Sequence, residues 1–201
     1  MNAFNLSTLP VAFDWQNSPF DWSVGPGDSL KIVAGERTDW FVDPATGTPQ
    51  DNAPCALFTP PVPEFMLSAR VKVAFASTFD AGVIQLRERD DLWAKLCFEY
   101  SPAGEPMIVS VVTRGNSDDC NSAVISGDEV YLRVAVMSTT IAFHYSTDGR
   151  VWRLVRYFSL GPLRSPRIGF SAQSPTGQQC TAEFSEIQWQ PRRLGEVRSG
   201  E

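Results

Sequence analysis

The stretch AGVIQLRERDDLWAKLCFEY, residues 81–100, decides the fold. It holds two apolar runs that alternate with period two on either side of a charged segment. Over 81–87, Gly82, Ile84 and Leu86 share one side, and Gln85 and Arg87 the other. Over 92–100, Ala94, Leu96, Phe98 and Tyr100 form an apolar side opposite Trp93, Lys95, Cys97 and Glu99. Successive side chains of a β-strand point to opposite faces, so the pattern predicts two strands, each with one buried face. Between them, Arg87-Glu88-Arg89-Asp90-Asp91 reads as a solvated hairpin turn.

The same alternation extends outward. In residues 65–75, Leu67, Ala69, Val71, Val73 and Phe75 oppose Ser68, Arg70 and Lys72. In 129–137, Val130, Leu132, Val134 and Val136 oppose Tyr131, Arg133 and Ala135. Residues 140–146 set Ile141, Phe143 and Tyr145 against Thr140, Ala142, His144 and Ser146, and Thr147-Asp148-Gly149-Arg150 supplies an Asp-Gly turn into a strand over 151–158. Further strands are predicted over 29–34, 56–59, 107–114, 167–173 and 181–190. The segment 43–54, rich in Pro, Gly, Asp and Asn, reads as a long loop. About a dozen short strands divided by Gly and Pro, with no helical stretch, predict an all-β protein of two antiparallel sheets packed as a sandwich. At 201 residues, one domain is expected.

Composition narrows the function classes. The formal net charge is -6, and the basic cluster Arg192, Arg193 and Arg198 is diluted by Glu196 and Glu201. No basic stripe invites a polyanion, so no nucleic acid is expected as a partner. The start MNAFNLSTLPVAFDW lacks the basic and apolar regions of a secretory signal, and no run of about 18 apolar residues exists. The expectation is no membrane partner and a cytoplasmic location. Cys55, Cys97, Cys120 and Cys180 are widely spaced without a CxxC pair. They are expected as thiols rather than as zinc ligands. No cofactor signature is present, whether P-loop, Rossmann glycines or GxSxG.

Candidate ligand contacts come from the polar strand faces: Gln85, Arg87, Trp93, Lys95, Glu99, Arg133 and His144, with Thr113 and Asp118 beyond them. If these strands are neighbours, their polar sides merge into one surface holding donors, acceptors and rings. Sugar recognition uses that mixture, because rings cover C–H faces while charged and amide groups pair hydroxyls. The alternative is the solvated side of a half-exposed sheet. Trp40 is either an aromatic platform at the rim or a core plug. His144, the single histidine, lacks companions for a metal site. Asp118 and Asp119 are oxygen donors of the type calcium takes, and equally an acidic loop. Glu99 is the best acid candidate, but no second carboxylate is evident on its face.

An ordered set of motifs carries a resemblance. It runs Asp39-Trp40, Ala81-Gly82, Trp93-Ala94-Lys95 with Glu99, Ser110-Val111-Val112-Thr113, Ser117-Asp118, Leu132-Arg133, Ser146-Thr147-Asp148-Gly149 with Trp152, Ile168-Gly169-Phe170 and Ser174-Pro175. Over roughly residues 15–190 the chain resembles the regulation-of-enolase-like family of concanavalin A-like (lectin/glucanase) domains. The resemblance implies a jelly-roll sandwich whose concave sheet is the ligand surface, with Gln85, Lys95, Glu99, Arg133 and His144 near it. One departure is Asp119, where the family pattern often has Trp. The glucanase Glu-x-Asp-x-Glu strand is absent, which argues against inherited glucanase activity and leaves no catalytic residues assigned. The leading expectation is a non-catalytic domain that binds a carbohydrate or another small polar ligand. The alternatives are a module that regulates a metabolic enzyme, suggested by the family name, and a glycoside-active enzyme using Glu99.

Overall fold

The computed structural model describes residues 3–201; the first two residues of the N-terminal stretch read above lie outside the described residues. In chain order the strands are β1 (Asp14–Gln16), β2 (Asp21–Val24), β3 (Leu30–Ala34), β4 (Trp40–Val42), β5 (Pro49–Asp51), β6 (Cys55–Phe58), β7 (Glu64–Ala74) and β8 (Ala81–Arg89). They continue with β9 (Leu92–Tyr100), β10 (Pro106–Arg114), β11 (Asn116–Val124), β12 (Glu129–Met137), β13 (Thr140–Ser146), β14 (Arg153–Phe158), β15 (Arg167–Gln173) and β16 (Cys180–Gln190). Two seven-stranded sheets result. The first has the order β1-β6-β15-β8-β9-β10-β11, and the second β14-β13-β12-β7-β16-β3-β2. A separate ribbon pairs β4 with β5. Among the described residues every strand pairing is antiparallel, including β8–β9 and β12–β13. This is the two-sheet antiparallel sandwich expected from the alternation, in the concanavalin A-like form that the resemblance implied.

The inward faces of the sheets make one core. Ile84 and Leu86 of β8, Ala94, Leu96 and Phe98 of β9, Leu132 and Val134 of β12 and Phe143 of β13 all lie in it. Phe170 and Phe184, one from each sheet, meet at 4.7 Å between ring centroids. Burying each such side chain contributes roughly 1.5–3 kcal/mol. Gly169 permits the close approach of β15 to β6: a Cβ there would lie 1.9 Å from the Ala56 carbonyl oxygen. Only a residue without a side chain fits.

Differences from the predicted elements are local. The segment 43–54 is not wholly loop, because β5 lies in it and pairs with β4. The polar stretch NSDDCNSAV forms the edge strand β11, held in register by β10. After the Asp-Gly turn the chain resumes strand only at Arg153, because the Asp148 carboxylate accepts the Arg150 and Val151 N–H groups and holds the turn open. No disulfide forms: Cys55, Cys97 and Cys180 are buried thiols and Cys120 is exposed. No helix among the described residues is long and apolar enough to cross a membrane.

Candidate functional site

The outer face of the first sheet carries a cleft. Register places Gln85 beside Lys95, Lys95 beside Val111, and Val111 beside Asp119, in one row across β8, β9, β10 and β11. Two steps along, past the row of Val83 and Cys97, Gln173 of β15, Ala81 of β8 and Glu99 of β9 form a further row on the same face. Ala81 is small, so the Gln173 amide reaches across it. The Lys95 ammonium donates to Gln173 Oε1 at 2.9 Å and to Asp39 Oδ1 at 2.8 Å. Gln173 Nε2 in turn donates to the Phe79 carbonyl at 3.2 Å and lies 3.5 Å from Glu99 Oε2.

The segment around β4 covers one end of this face. The Asp39 carbonyl accepts the N–H groups of Asn52 and Ala53. Its carboxylate accepts the Trp40 N–H at 2.7 Å, which aims it at Lys95. Trp40 donates its indole N–H to the Ala53 carbonyl at 2.9 Å and meets the Trp93 ring edge-on. What remains open is a cleft of about 140 Å³ lined by Asp39, Lys95, Glu99, Asp119 and Gln173, with Phe41, Phe79 and Val111 as apolar walls. Phe79 sits at φ 70, is 37% exposed, and is fixed by its N–H to the Tyr100 carbonyl. A non-glycine residue held in this region costs about 1–3 kcal/mol, and such strain concentrates at functional sites.

Electrostatics separates the carboxyls. Burial pushes the Glu99 carboxyl up to about 8; Lys95 opposes this, while Asp39 and Asp119 add to it. Burial likewise raises Asp119. Burial works against the Lys95 charge, but Asp39 foremost among its neighbours holds the ammonium above its ordinary value. At neutral pH the cleft therefore presents an ammonium, a protonated Glu99 that donates, an ion-paired Asp39 and an amide. Among the described residues no group of three or more His, Cys, Asp or Glu is placed to hold a metal ion.

The single surface expected from alternation is divided in two. Gln85, Arg87, Trp93, Lys95, Glu99 and Thr113 belong to the first sheet; Arg133 and His144 lie in the second, and their side chains face outward on the far side of the sandwich. His144 is fully buried there, its Nε2–H donating to the Val197 carbonyl at 2.7 Å. Burial first, and then Arg133, lower it to about 4 against the opposing Val197 hydrogen bond, so the ring is neutral at pH 7. Trp40 of the β4–β5 ribbon and, on the first sheet, Gln85, Arg87, Trp93 and Thr113 are buried rather than open to a ligand. Trp40 is the plug: the Arg87 guanidinium lies 4.1 Å from its ring centroid. Thr113 shares a hydrogen bond with Ser117. Asp118 points away from the cleft and ion-pairs with Arg156 of β14 at 2.9 Å, while Asp119, next to it, lines the cleft. Of the ten candidates, the cleft lining keeps Lys95 and Glu99.

Sequence reasoning passed over Asp39, Phe41, Phe79, Asp119 and Gln173 as contacts. Parity within 167–173 sets Gln173 on the side opposite Ile168, Phe170 and Ala172, and so could have found it. The stretch 116–124 is polar on both sides, so its parity does not set Asp119 apart from Asp118. Nothing in the sequence marks Phe79.

Comparisons with known proteins agree on the fold. The family described as "Protein of unknown function (DUF1349)" matches residues 15–192. Regulation of enolase protein 1 of Saccharomyces cerevisiae is 28% identical over 174 residues, 86% of each chain. A crystal structure of a functionally unknown protein from the same yeast superposes with a TM-score of 0.83 at 27% identity, covering 96% of this chain and 100% of that one. The GH43 protein BlXynB of Bacillus licheniformis matches at TM-score 0.70 and 16% identity, over 89% of this chain but 37% of its own. A legume lectin-like domain from Entamoeba histolytica matches at 0.59 and 11%, over 91% and 90%. These last two likenesses are of fold alone.

Proposed function

The chain belongs to the DUF1349 family, whose description names no activity, and from the geometry of the cleft we propose that it binds a small hydroxylated ligand, a sugar residue fitting best, without catalysing its reaction. One observation carries this: the Lys95 ammonium, the protonated Glu99, Asp39 and Gln173 converge between the rings of Phe41 and Phe79. Hydroxyls pair with both donors and acceptors, and aromatic walls cover C–H faces. Hydrolysis of a glycosidic bond needs two free carboxyl groups flanking it. Here Asp39 is already engaged by Lys95 and by the Trp40 N–H, so a hydrolytic reading would have to rest on Glu99 with Asp119, the other carboxyl of the lining. The test is a calorimetric titration with a panel of monosaccharides. Binding that weakens in Phe79→Ala is the supporting result; heat from no sugar at millimolar concentration sinks the reading.

A second reading has its own support, and the relatives weigh toward it more than toward sugar binding. The yeast relative covering 86% of this chain is named for regulation of enolase. On that reading the domain acts on a metabolic enzyme, in a reducing cytoplasm that suits its free thiols. Co-elution with enolase, or a changed enolase rate when the chain is in excess, would support it. An unchanged rate with separate elution refutes it.

A further inference from the structure

The second sheet has a hollow of its own, on the side of the molecule away from the cleft. In β12, Arg133 is flanked by Ser68 of β7, which in turn neighbours Gln188 of β16. The turn after β13 folds back over this row, and Trp152 lays its ring 4.1 Å from the Arg133 guanidinium carbon. The space beneath it, about 350 Å³, is lined chiefly by Ser68, Tyr131, Arg133, Trp152, Gln188 and Gln190.

The charge on Arg133 lacks a counter-ion. The side chain is 6% exposed, and none of the ion pairs among the described residues includes it. It donates once through Nη2, to the Gly200 carbonyl at 2.6 Å, and its Nε–H meets no acceptor. Burial, with repulsion from Arg192, lowers it only to about 10, so it remains a cation at neutral pH. The nearby carboxylates are engaged elsewhere. Asp148 accepts from Ser146, Arg150 and Val151, and Glu186 accepts from the Tyr131 hydroxyl and pairs with Arg70. A buried cation without a partner is costly, and a ligand carboxylate relieves that cost with charge-assisted hydrogen bonds.

We infer that this hollow is a second binding site, for a monoanionic, hydroxylated small molecule of the hexuronate type. Arg133 takes the carboxylate. The amides of Gln188 and Gln190, which make no hydrogen bond within the protein among the described residues, pair the hydroxyls, and Trp152 covers a ring face. A neutral sugar leaves Arg133 unpaired. A dianionic phosphate meets Asp148 and Glu186 at the rim.

The experiment titrates the whole chain with D-glucuronate, D-glucose and inorganic phosphate, by calorimetry and ligand-observed NMR. Glucuronate should bind about tenfold or more tightly than glucose and phosphate, and Arg133→Gln should abolish that preference. Gln188 is exposed, so Gln188→Ala keeps its melting temperature while affinity falls about threefold to tenfold. It serves as the test if Arg133→Gln fails to fold. Glucuronate affinity unchanged by Glu99→Gln separates this site from the cleft. Equal affinity for glucose, preference for phosphate, no binding of glucuronate, or a Gln188→Ala variant that binds as the parent does would each overturn the inference.

Discussion

Glu99→Gln is the sharpest probe of the cleft. The Glu99 carboxyl rises from its ordinary 4.5 to about 8 on folding, chiefly through burial. A group raised in the folded state contributes stability that is complete below its unfolded value and is lost as pH climbs through its folded value. The protein should therefore lose stability from about pH 4.5 to about pH 8 and then level off, as far as this group is concerned. Taken whole, a rise from 4.5 to about 8 corresponds to about 5 kcal/mol. The carboxyl is partly exposed in an open cleft, and solvent screening brings the expectation to about 2 kcal/mol. Glutamine keeps the shape and the acceptor facing Gln173 but cannot ionise. The two proteins should melt together near about pH 4.5, and the variant should melt about 4–8 °C higher near about pH 9. Other groups titrate alike in both and cancel in the difference. Scanning calorimetry at four or five pH values measures it. A difference in melting temperature that stays flat across the range would show that Glu99 is ionised in the fold and that the donor assigned to it is absent.

Phe79→Gly should relieve the positive-φ strain, leaving stability unchanged or raising it by about 1 kcal/mol, while any sugar affinity of the cleft falls; urea denaturation beside a binding titration checks both. Gly169→Ala should be among the most damaging single changes, since its Cβ would strike the Ala56 carbonyl; a loss above about 3 kcal/mol, or failure to recover soluble protein, is expected, and a stability within 1 kcal/mol of the parent, on that same scale, contradicts the packing. Of the thiols, Cys120 alone is exposed, and burial raises Cys55 to about 12. A thiol reagent should therefore modify one site in the native protein and four after denaturation; a second fast-reacting thiol counts against the assigned burial.

Much of the architecture was legible because antiparallel strands with one wet side alternate cleanly. Residues 92–100, 129–137, 140–146 and 167–173 were read with the bounds the structure has. The site was less legible, for a reason rooted in the same alternation. Parity tells which side of a strand faces away from the core, but not to which sheet the strand belongs. Arg133 and Lys95 satisfy the parity rule equally, yet β7 draws β12 into the second sheet by pairing with it, a contact between distant parts of the chain. Outward is also not the same as exposed. Gln85 and Trp93 point away from the core and are still buried, Trp93 under the segment that carries Trp40. Such cover comes from a loop path that no periodic pattern announces. The strand β11 escaped because its residues are polar on both sides, as befits an edge with little to bury.

That edge strand makes the chain unusually sensitive to counting. Asp118 and Asp119 look out in opposite directions, one tying β11 to Arg156 across the sandwich and the other supplying a carboxyl to the cleft. Their roles are assigned by order alone, since the residues are chemically identical. Dropping one residue at Gly115, between β10 and β11, would trade every front for every back along the strand. Asp119 would then stand at the post beside Arg156, while Cys120 would take the place at the cleft and leave it a carboxyl short. Mutating either aspartate would then reveal which had moved where, so the doublet can serve as a built-in ruler for the sheet's alignment.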